Sequence, residues 1–287
     1  MEKVSAFLRR KDIVFSPKRY FIDAMSAMAQ GLFCTLLVGT ILNTLGTQLH
    51  IGFLTDIIVT LGKGDGAVGY TIGGLCSAMV GPGMAVAIGQ ALNAPPMVLF
   101  SLIPVGFATN AMGGAGGPLA VLFVAIIAAE IGKAVSKETK IDILVTPIVT
   151  ILSGIGAAAL IAAPIGTAAS AVGKAIMWAT ELQPFFMGII VSVVIGIALT
   201  LPIASAAICA ALGLTGLAGG AAVAGCCAQM MGFAVMSFRE NRWGGLAAQG
   251  LGTSMLQMGN IVRNPRIWIP PTLASALTGP IATCIFR

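Results

Sequence analysis

Between Gly66 and Ala129 the chain runs for 64 residues without a single Asp, Glu, Lys or Arg. A helix of a soluble protein needs one wet, charged face, and helices cut from such a run have none; helices surrounded by lipid need none. A membrane-spanning helix takes about 20 residues, so this run holds two or three spans. Residues 182–238 form a second charge-free run of 57, and residues 24–55 and 143–173 form shorter ones. Apolar and polar residues do not alternate within them, which argues against a transmembrane β-barrel. Only 9% of the chain is charged, against roughly 25% in a soluble domain. The expectation is an all-α polytopic membrane protein, with the lipid bilayer as its main partner.

Charges, prolines and glycine clusters punctuate the runs. Spans are expected near residues 21–43, 67–92, 95–112, 117–135, 141–163, 184–203, 217–237, 246–262 and 267–286, about 8–10 transmembrane helices in all. Residues 46–63 and 166–182 carry scattered polar groups on apolar helical patterns and read as amphipathic helices lying along the membrane surface. The basic N-terminus is followed by Asp23 and by an apolar run too long for a signal peptide, so a retained first span is expected. A cytoplasmic N-terminus puts 11 of the 16 basic residues on the cytoplasmic side, with Arg239 and Arg242 on the other. The formal charge of +6 therefore reads as a topology signal, not as a nucleic-acid footprint. The six cysteines lie in apolar segments without metal-ligand or CxxC spacing, and read as packing residues. No cofactor, metal or catalytic residue is expected, and the chain is not read as an enzyme: Walker A, HExxH, GxSxG and GxGxxG patterns are all absent.

An internal repeat organises the expected domains. Ile22-Asp23 and Ile141-Asp142 open spans 119 residues apart, and Gly81-Pro82-Gly83 is matched by Leu201-Pro202. Val105–Ala108 matches Met231–Ala234, Ile131-Gly132 matches Met258-Gly259, and Lys140–Ile143 matches Arg266–Ile269. The division is a basic segment 1–20, a first repeat 21–140, a second repeat 141–266 and an additional span 267–287. Proline inside a helix removes one N–H and clashes with the preceding turn, so Pro82 and Pro202 are expected to break helices at equivalent depths. Such breaks line cavities in transporters. Re-entrant hairpins are a further possibility, above all at Gly113–Gly117 beside Pro118. Four crossings per half make the repeats parallel, and one miscounted hairpin would make them inverted.

The densest polar group at membrane depth is Gln249, Thr253, Ser254, Gln257 and Asn260. At helical spacing Gln249, Thr253, Gln257 and Asn260 share one face, and uncharged polar groups gain nothing from facing lipid. They read as ligands for a hydroxylated or amide solute, or as interhelical hydrogen bonds. Glu130 is an intramembrane carboxylate and a functional candidate, with Lys133 placed to form a simple i,i+3 ion pair. Asn110 and Gln229 are secondary candidates.

The stretch GLGTSMLQMGNIVRNPRIWIPPTLASALTGPIAT (residues 250–283), together with ETKIDILVTP (138–147), resembles the second EIIC family of the bacterial phosphotransferase system. That family includes sugar-transporter IIC subunits and regulators of toxin production such as the perfringolysin regulator. The resemblance implies an inner-membrane protein, a homodimer, that binds or moves a small polar solute such as a carbohydrate. The chain carries no IIA or IIB domain and no histidine beside a glutamate in its bundle, so phosphoryl transfer would need separate IIA and IIB proteins. The expected function is an EIIC-like permease working by alternating access around a cavity between the two repeats. The alternative is a ligand-binding membrane sensor acting on a cytosolic regulator without transport.

Overall fold

Prolines and short polar side chains set where the helices start. The computed structural model describes residues 2–62, 67–180, 183–201, 209 and 216–285. A short helix α1 (Glu2–Arg10) precedes α2 (Lys18–Gln48), which is long and apolar, with wider π-type turns at Lys18–Asp23 and Phe33–Leu37. A one-turn helix Gly52–Thr55 and a two-stranded antiparallel hairpin, β1 (Val59–Leu61) and β2 (Val68–Tyr70), follow. Thr71 caps α3 (Ile72–Ala78) by accepting the Gly74 N–H at 3.0 Å. At Met79 the chain bends by 53° into α4 (Val80–Ala91). Pro96 opens α5 (Pro96–Gly113) and Pro118 sits at the start of α6 (Gly117–Val135), positions where a missing N–H costs nothing.

Gly114 adopts φ +51°, a conformation disfavoured for residues with a side chain, and there α5 doubles back into α6. The two legs lie side by side, because a Cβ on Gly132 near the end of α6 would touch Val98 near the start of α5. α7 (Asp142–Thr180) packs along both legs. Its Gly154 lies against Val105 and Ala128, and its Ile165 carbonyl lies against Gly116 in the hairpin turn. α8 (Pro184–Thr200), α9 (Gly216–Met236) and α12 (Ile269–Cys284) form a second group. Between them lie α10 (Phe238–Ala247) and α11 (Met258–Arg263). Hydroxyls stitch this group, as expected where water is excluded: Ser192 Oγ donates to the Ser275 carbonyl (2.7 Å), Ser275 Oγ to the Gly225 carbonyl (3.2 Å), and Thr283 Oγ1 to the Pro184 carbonyl (2.8 Å).

The main core joins Met28, Met84, Ile88, Leu102, Leu122 and Phe233, and a smaller one joins Ile176, Met187, Val191 and Ala221. The fold is an all-α polytopic one. Among the described residues four helices qualify as membrane spans on length and apolarity, or five with the bent α3–α4 pair. The eight to ten expected from sequence also count both legs of the α5–α6 hairpin and the shorter apolar helices α8 and α12.

Several expectations change. Residues 46–62 are not one surface helix; they hold the end of α2, the one-turn helix and β1, and Lys63 lies outside the described residues. Residues 166–180 do not form a separate helix, since α7 continues unbroken to Thr180, and residues 181 and 182 lie outside the described residues. Residues 246–262 do not form one span. They pass through a π-type turn (Ala248–Gly252), an extended Thr253 (φ −154°, ψ 142°) and a 3-10 turn (Ser254–Gln257) before α11. Gly250 and Gly252 favour this irregular path, and the surrounding helices cover it, which is where irregular backbone is tolerated at membrane depth. The helix break near Pro82 exists, but it sits at Met79, and Pro82 occupies the first turn of α4. Pro202 lies outside the described residues.

Helix directions bear on the repeat. α2 and α7, which carry Ile22-Asp23 and Ile141-Asp142, both run away from the end of the bundle that holds Arg19 and Lys133. α5 also runs away from that end, whereas α9 runs toward it: Ala115 in the hairpin turn packs with Leu217 and Ala221, while Gly232 meets Pro271. The matched quartets 105–108 and 231–234 therefore lie on helices of opposite sense.

Candidate functional site

Two polar sites occupy the end of the bundle where α2 and α7 begin. The first is a strap formed by residues 10–13. Lys133 is 2% exposed, and its ammonium donates to the carbonyls of Asp12 (2.8 Å) and Leu92 (2.9 Å). Arg19 also donates to the Leu92 carbonyl, at 2.7 Å. Leu92 caps the C-terminal end of α4, where the helix dipole favours cations. Arg19 binds the Asp12 carboxylate at 2.6 Å and Asn93 donates to the same carboxylate at 3.0 Å. The Arg19 hydrogen bond is the main reason the Asp12 carboxyl titrates at about 2. Lys11 donates to the Ser136 carbonyl and pairs with Glu138 at 2.5 Å; Lys11, with Arg10 beside it, holds the Glu138 carboxyl below the usual range.

Glu130 belongs to this strap. Its carboxylate accepts from the Tyr20 hydroxyl (3.2 Å), and its second oxygen lies 3.0 Å from the Lys133 ammonium. The i,i+3 pair expected from sequence is present, and Glu130 lines an apolar groove with Leu8, Ile13, Phe15 and Ile127. It is not brought together with Gln257.

The second site is a cavity of about 390 Å³ lined by Phe233, Met236, Ser237, Glu240, Asn241, Gln257, Asn260 and Ile267. The end of α9 and the start of α10 form one wall, and Gln257 at the end of the irregular segment, Asn260 of α11 and Ile267 beyond it form the other. Asn260 Nδ2 donates to Gln257 Oε1 at 2.8 Å, which fixes both carboxamides at the cavity wall. Gln249 is 4% exposed and donates to Ser237 Oγ at 3.1 Å. Thr253 caps the Met255 N–H, and Ser254 bonds Thr200 at the end of α8 (2.9 Å), so both hold the irregular segment in shape. Gln229 is fully buried one turn before Phe233 and donates to Thr272 at 3.1 Å. Asn110 lies elsewhere, against Gly81 and Gly117. Pro82 is buried in α4 between Gly81, which meets α5, and Gly83, which meets α2, and it does not line the cavity.

The structure thus gathers Gln249, Gln257 and Asn260 around one cavity and separates Glu130, Asn110 and Pro82 from it. Sequence reasoning missed Ser237, Glu240 and Asn241. The available signal was their position, a polar cluster straddling the end of a 57-residue charge-free run. It also misplaced Arg239 and Arg242. α10 stands beside Gln257–Ile267 across the cavity, and α11 packs on residues 18–23, so both arginines share the Arg19 end.

No curated protein and no solved structure shows significant similarity to the chain. A family model described as "Phosphotransferase system, EIIC" matches residues 22–287, which takes in α2 after its first turn, α3 to α12, the irregular segment and every lining residue of the cavity. The chain therefore belongs to the EIIC family of the phosphotransferase system, and it is a permease-type, multi-pass bacterial membrane component.

Proposed function

We propose that the chain moves a small polar solute through the cavity lined by Ser237, Glu240, Asn241, Gln257 and Asn260. EIIC domains are the membrane transport components of their system and are not catalysts by themselves. The observation that carries the site is the irregular segment 248–257. A bundle built only to sit in lipid gains nothing from breaking a helix, and here the break ends at Gln257, whose carboxamide is held on the cavity wall by Asn260 of α11. The 53° bend at Met79 and the turns around Thr253 supply joints about which helices can rock to open the cavity to either side in turn. Phosphorylation of the solute, if coupled to its passage, belongs to separate IIA and IIB proteins.

Reconstitution into proteoliposomes tests this reading, with uptake measured over hexoses, polyols and their amino- and carboxylate-bearing analogues. One or more of these solutes is expected to enter. Gln257→Ala and Asn260→Ala should each weaken its binding roughly tenfold, because each leaves a partner at the cavity wall unpaired. Binding without uptake would favour a ligand sensor, and absence of both across the panel would sink the proposal.

A further inference from the structure

Two depressions share the strap and the end of α6 as walls. One, of about 380 Å³, is lined by Arg10, Lys11, Asp12, Asn93, Lys133 and Lys137 among others. The other, of about 390 Å³, is a groove lined by Leu8, Ile13, Phe15, Ile127, Ile131 and Ala134. The polar side chains of the groove, Tyr20 and Glu130, are bonded to each other at 3.2 Å, so what it offers is hydrocarbon. Phe15 is 74% exposed and Ile131 37%, so no described residue covers it. Along α6 the groove takes Ile126 to Ala134, and the charged pocket takes Lys133 and the residues that follow to Glu138, so the pocket is the outer of the two. The charge-free runs stop at Ala129 and resume at Ile143, which sets both depressions where apolar spans meet the headgroup layer.

The carboxylates here are already matched. Asp12 has Arg19 at 2.6 Å, Glu138 has Lys11 at 2.5 Å, and Glu130 has Lys133 at 3.0 Å. Arg10 shares Glu138 with Lys11 and its side chain is 63% exposed, while Lys137 makes no ion pair among the described residues. Asp142 is taken up by the Lys137 backbone N–H (2.7 Å) and the Thr146 hydroxyl (2.6 Å). Arg10 and Lys137 are therefore left for an anion from outside. Lys137 also holds φ +61°, which is uncommon for a residue with a side chain. Strain of this kind collects at ligand sites, and a glycine there would remove the strain together with the ammonium.

We infer that the strap binds an anionic phospholipid, with its phosphate beside Arg10 and Lys137 and an acyl chain in the groove between Leu8 and Ile131. Basic pockets at headgroup level suit anionic lipid heads, and a chain laid in the groove covers its exposed apolar wall. A zwitterionic lipid would fill the groove but bring its own cation to the basic pocket. A free phosphate would meet the cations and leave the groove empty. The site stands apart from the solute cavity and does not depend on it.

Native mass spectrometry of the delipidated full chain tests this with dioleoyl phosphatidylglycerol and dioleoyl phosphatidylcholine, which share their acyl chains. Phosphatidylglycerol is expected to bind roughly five- to twentyfold more tightly, the scale of one or two cations near a membrane surface. Lys137→Asn removes the ammonium and keeps a residue that tolerates the same backbone; it should cut that preference roughly fivefold. Lys140→Asn is the control, since Lys140 lies in the same loop, exposed, and lines neither depression. Phe15→Ala, at an exposed side chain, should weaken both lipids alike, by roughly three- to tenfold. Soluble glycerol 3-phosphate at equal concentration should displace neither lipid. Equal binding of the two lipids overturns the inference, and so does an equal loss in Lys137→Asn and Lys140→Asn, which would mean diffuse attraction to the basic end. Displacement by glycerol 3-phosphate would assign the pocket to a free phosphate, and unchanged binding in Phe15→Ala would remove the acyl chain from the groove; either result overturns it as well.

Discussion

Asp12 shows how a single carboxylate can hold a segment of chain. Arg19 and Asn93 both bind it, and its own backbone carbonyl receives the Lys133 ammonium. Its carboxyl titrates at about 2, below the ordinary value of 3.8. A depressed folded value means that the stabilisation is fully present above about pH 4 and is lost as pH falls through about 2. The side chain is half exposed, so solvent screening limits the effect to on the order of 1 kcal/mol. Hydrogen exchange at residues 8–13 should therefore rise as pH falls through that window. Asp12→Asn should raise exchange already at about pH 7 and remove the Asp12 part of the acid transition. Unchanged exchange in Asp12→Asn would show that the strap is held by Lys133 and Lys11 alone. Glu138 titrates in the same direction through Lys11, and the Asn variant separates the two. Of this network, only the Glu130–Lys133 pair was legible in the sequence, because i,i+3 neighbours are set by helix geometry alone. The Lys133 contacts to Leu92 and Asp12 join residues 41 and 121 positions apart, and only tertiary packing brings them together.

Small residues govern how the helices meet. α4 lies between α2 and α5 with its glycines at both contacts. A methyl on Gly81 would land on the Gly106 carbonyl oxygen, one on Gly106 would land on the Gly81 carbonyl, and one on Gly31 would meet Gly83. Backbone carbonyls cannot swing aside as side chains can, so Gly106→Ala must push the two helices apart. A cost of about 1–3 kcal/mol is expected, read as a lower unfolding midpoint in detergent. Gly156→Ala is the control, since nothing lies within 4 Å of the added methyl; equal midpoints for the two variants would remove the close-approach account. The sequence made the packing role of these glycines readable, because excess glycine in apolar helices has that use. It did not reveal the irregular path of residues 248–257. Gln249, Thr253, Gln257 and Asn260 fall at spacings that a continuous helix would also align, and only Gly250 and Gly252 hint otherwise. The cavity depends on that irregularity, so its Gln257–Asn260 wall was legible as residues but not as geometry.

At the scale of the whole molecule, moving α10 to the Arg19 end changes the charge asymmetry. Sequence reasoning put 11 of the 16 basic residues on one side; Arg239 and Arg242 add two, making 13. By the positive-inside rule this end is expected in the cytoplasm, and the two arginines no longer oppose that expectation. The cavity of Glu240, Asn241, Gln257 and Asn260 lies at the same end, so the prediction is a cavity open toward the cytoplasm and a β1–β2 hairpin on the other side. Single cysteines at Thr60, Lys137 and Asn241, on a background with the six native cysteines replaced, test this with a membrane-impermeant maleimide. Thr60→Cys should label in intact cells, and Lys137→Cys and Asn241→Cys only after lysis. Labelling of Asn241→Cys from outside while Lys137→Cys stays protected would separate α10 from the strap and undo the shared end. If the pattern holds, a solute-loaded cavity is exposed on the side where a soluble phosphoryl donor works. Phosphorylation there would place a new negative charge beside Glu240, and the repulsion between them favours release into the cytoplasm over return.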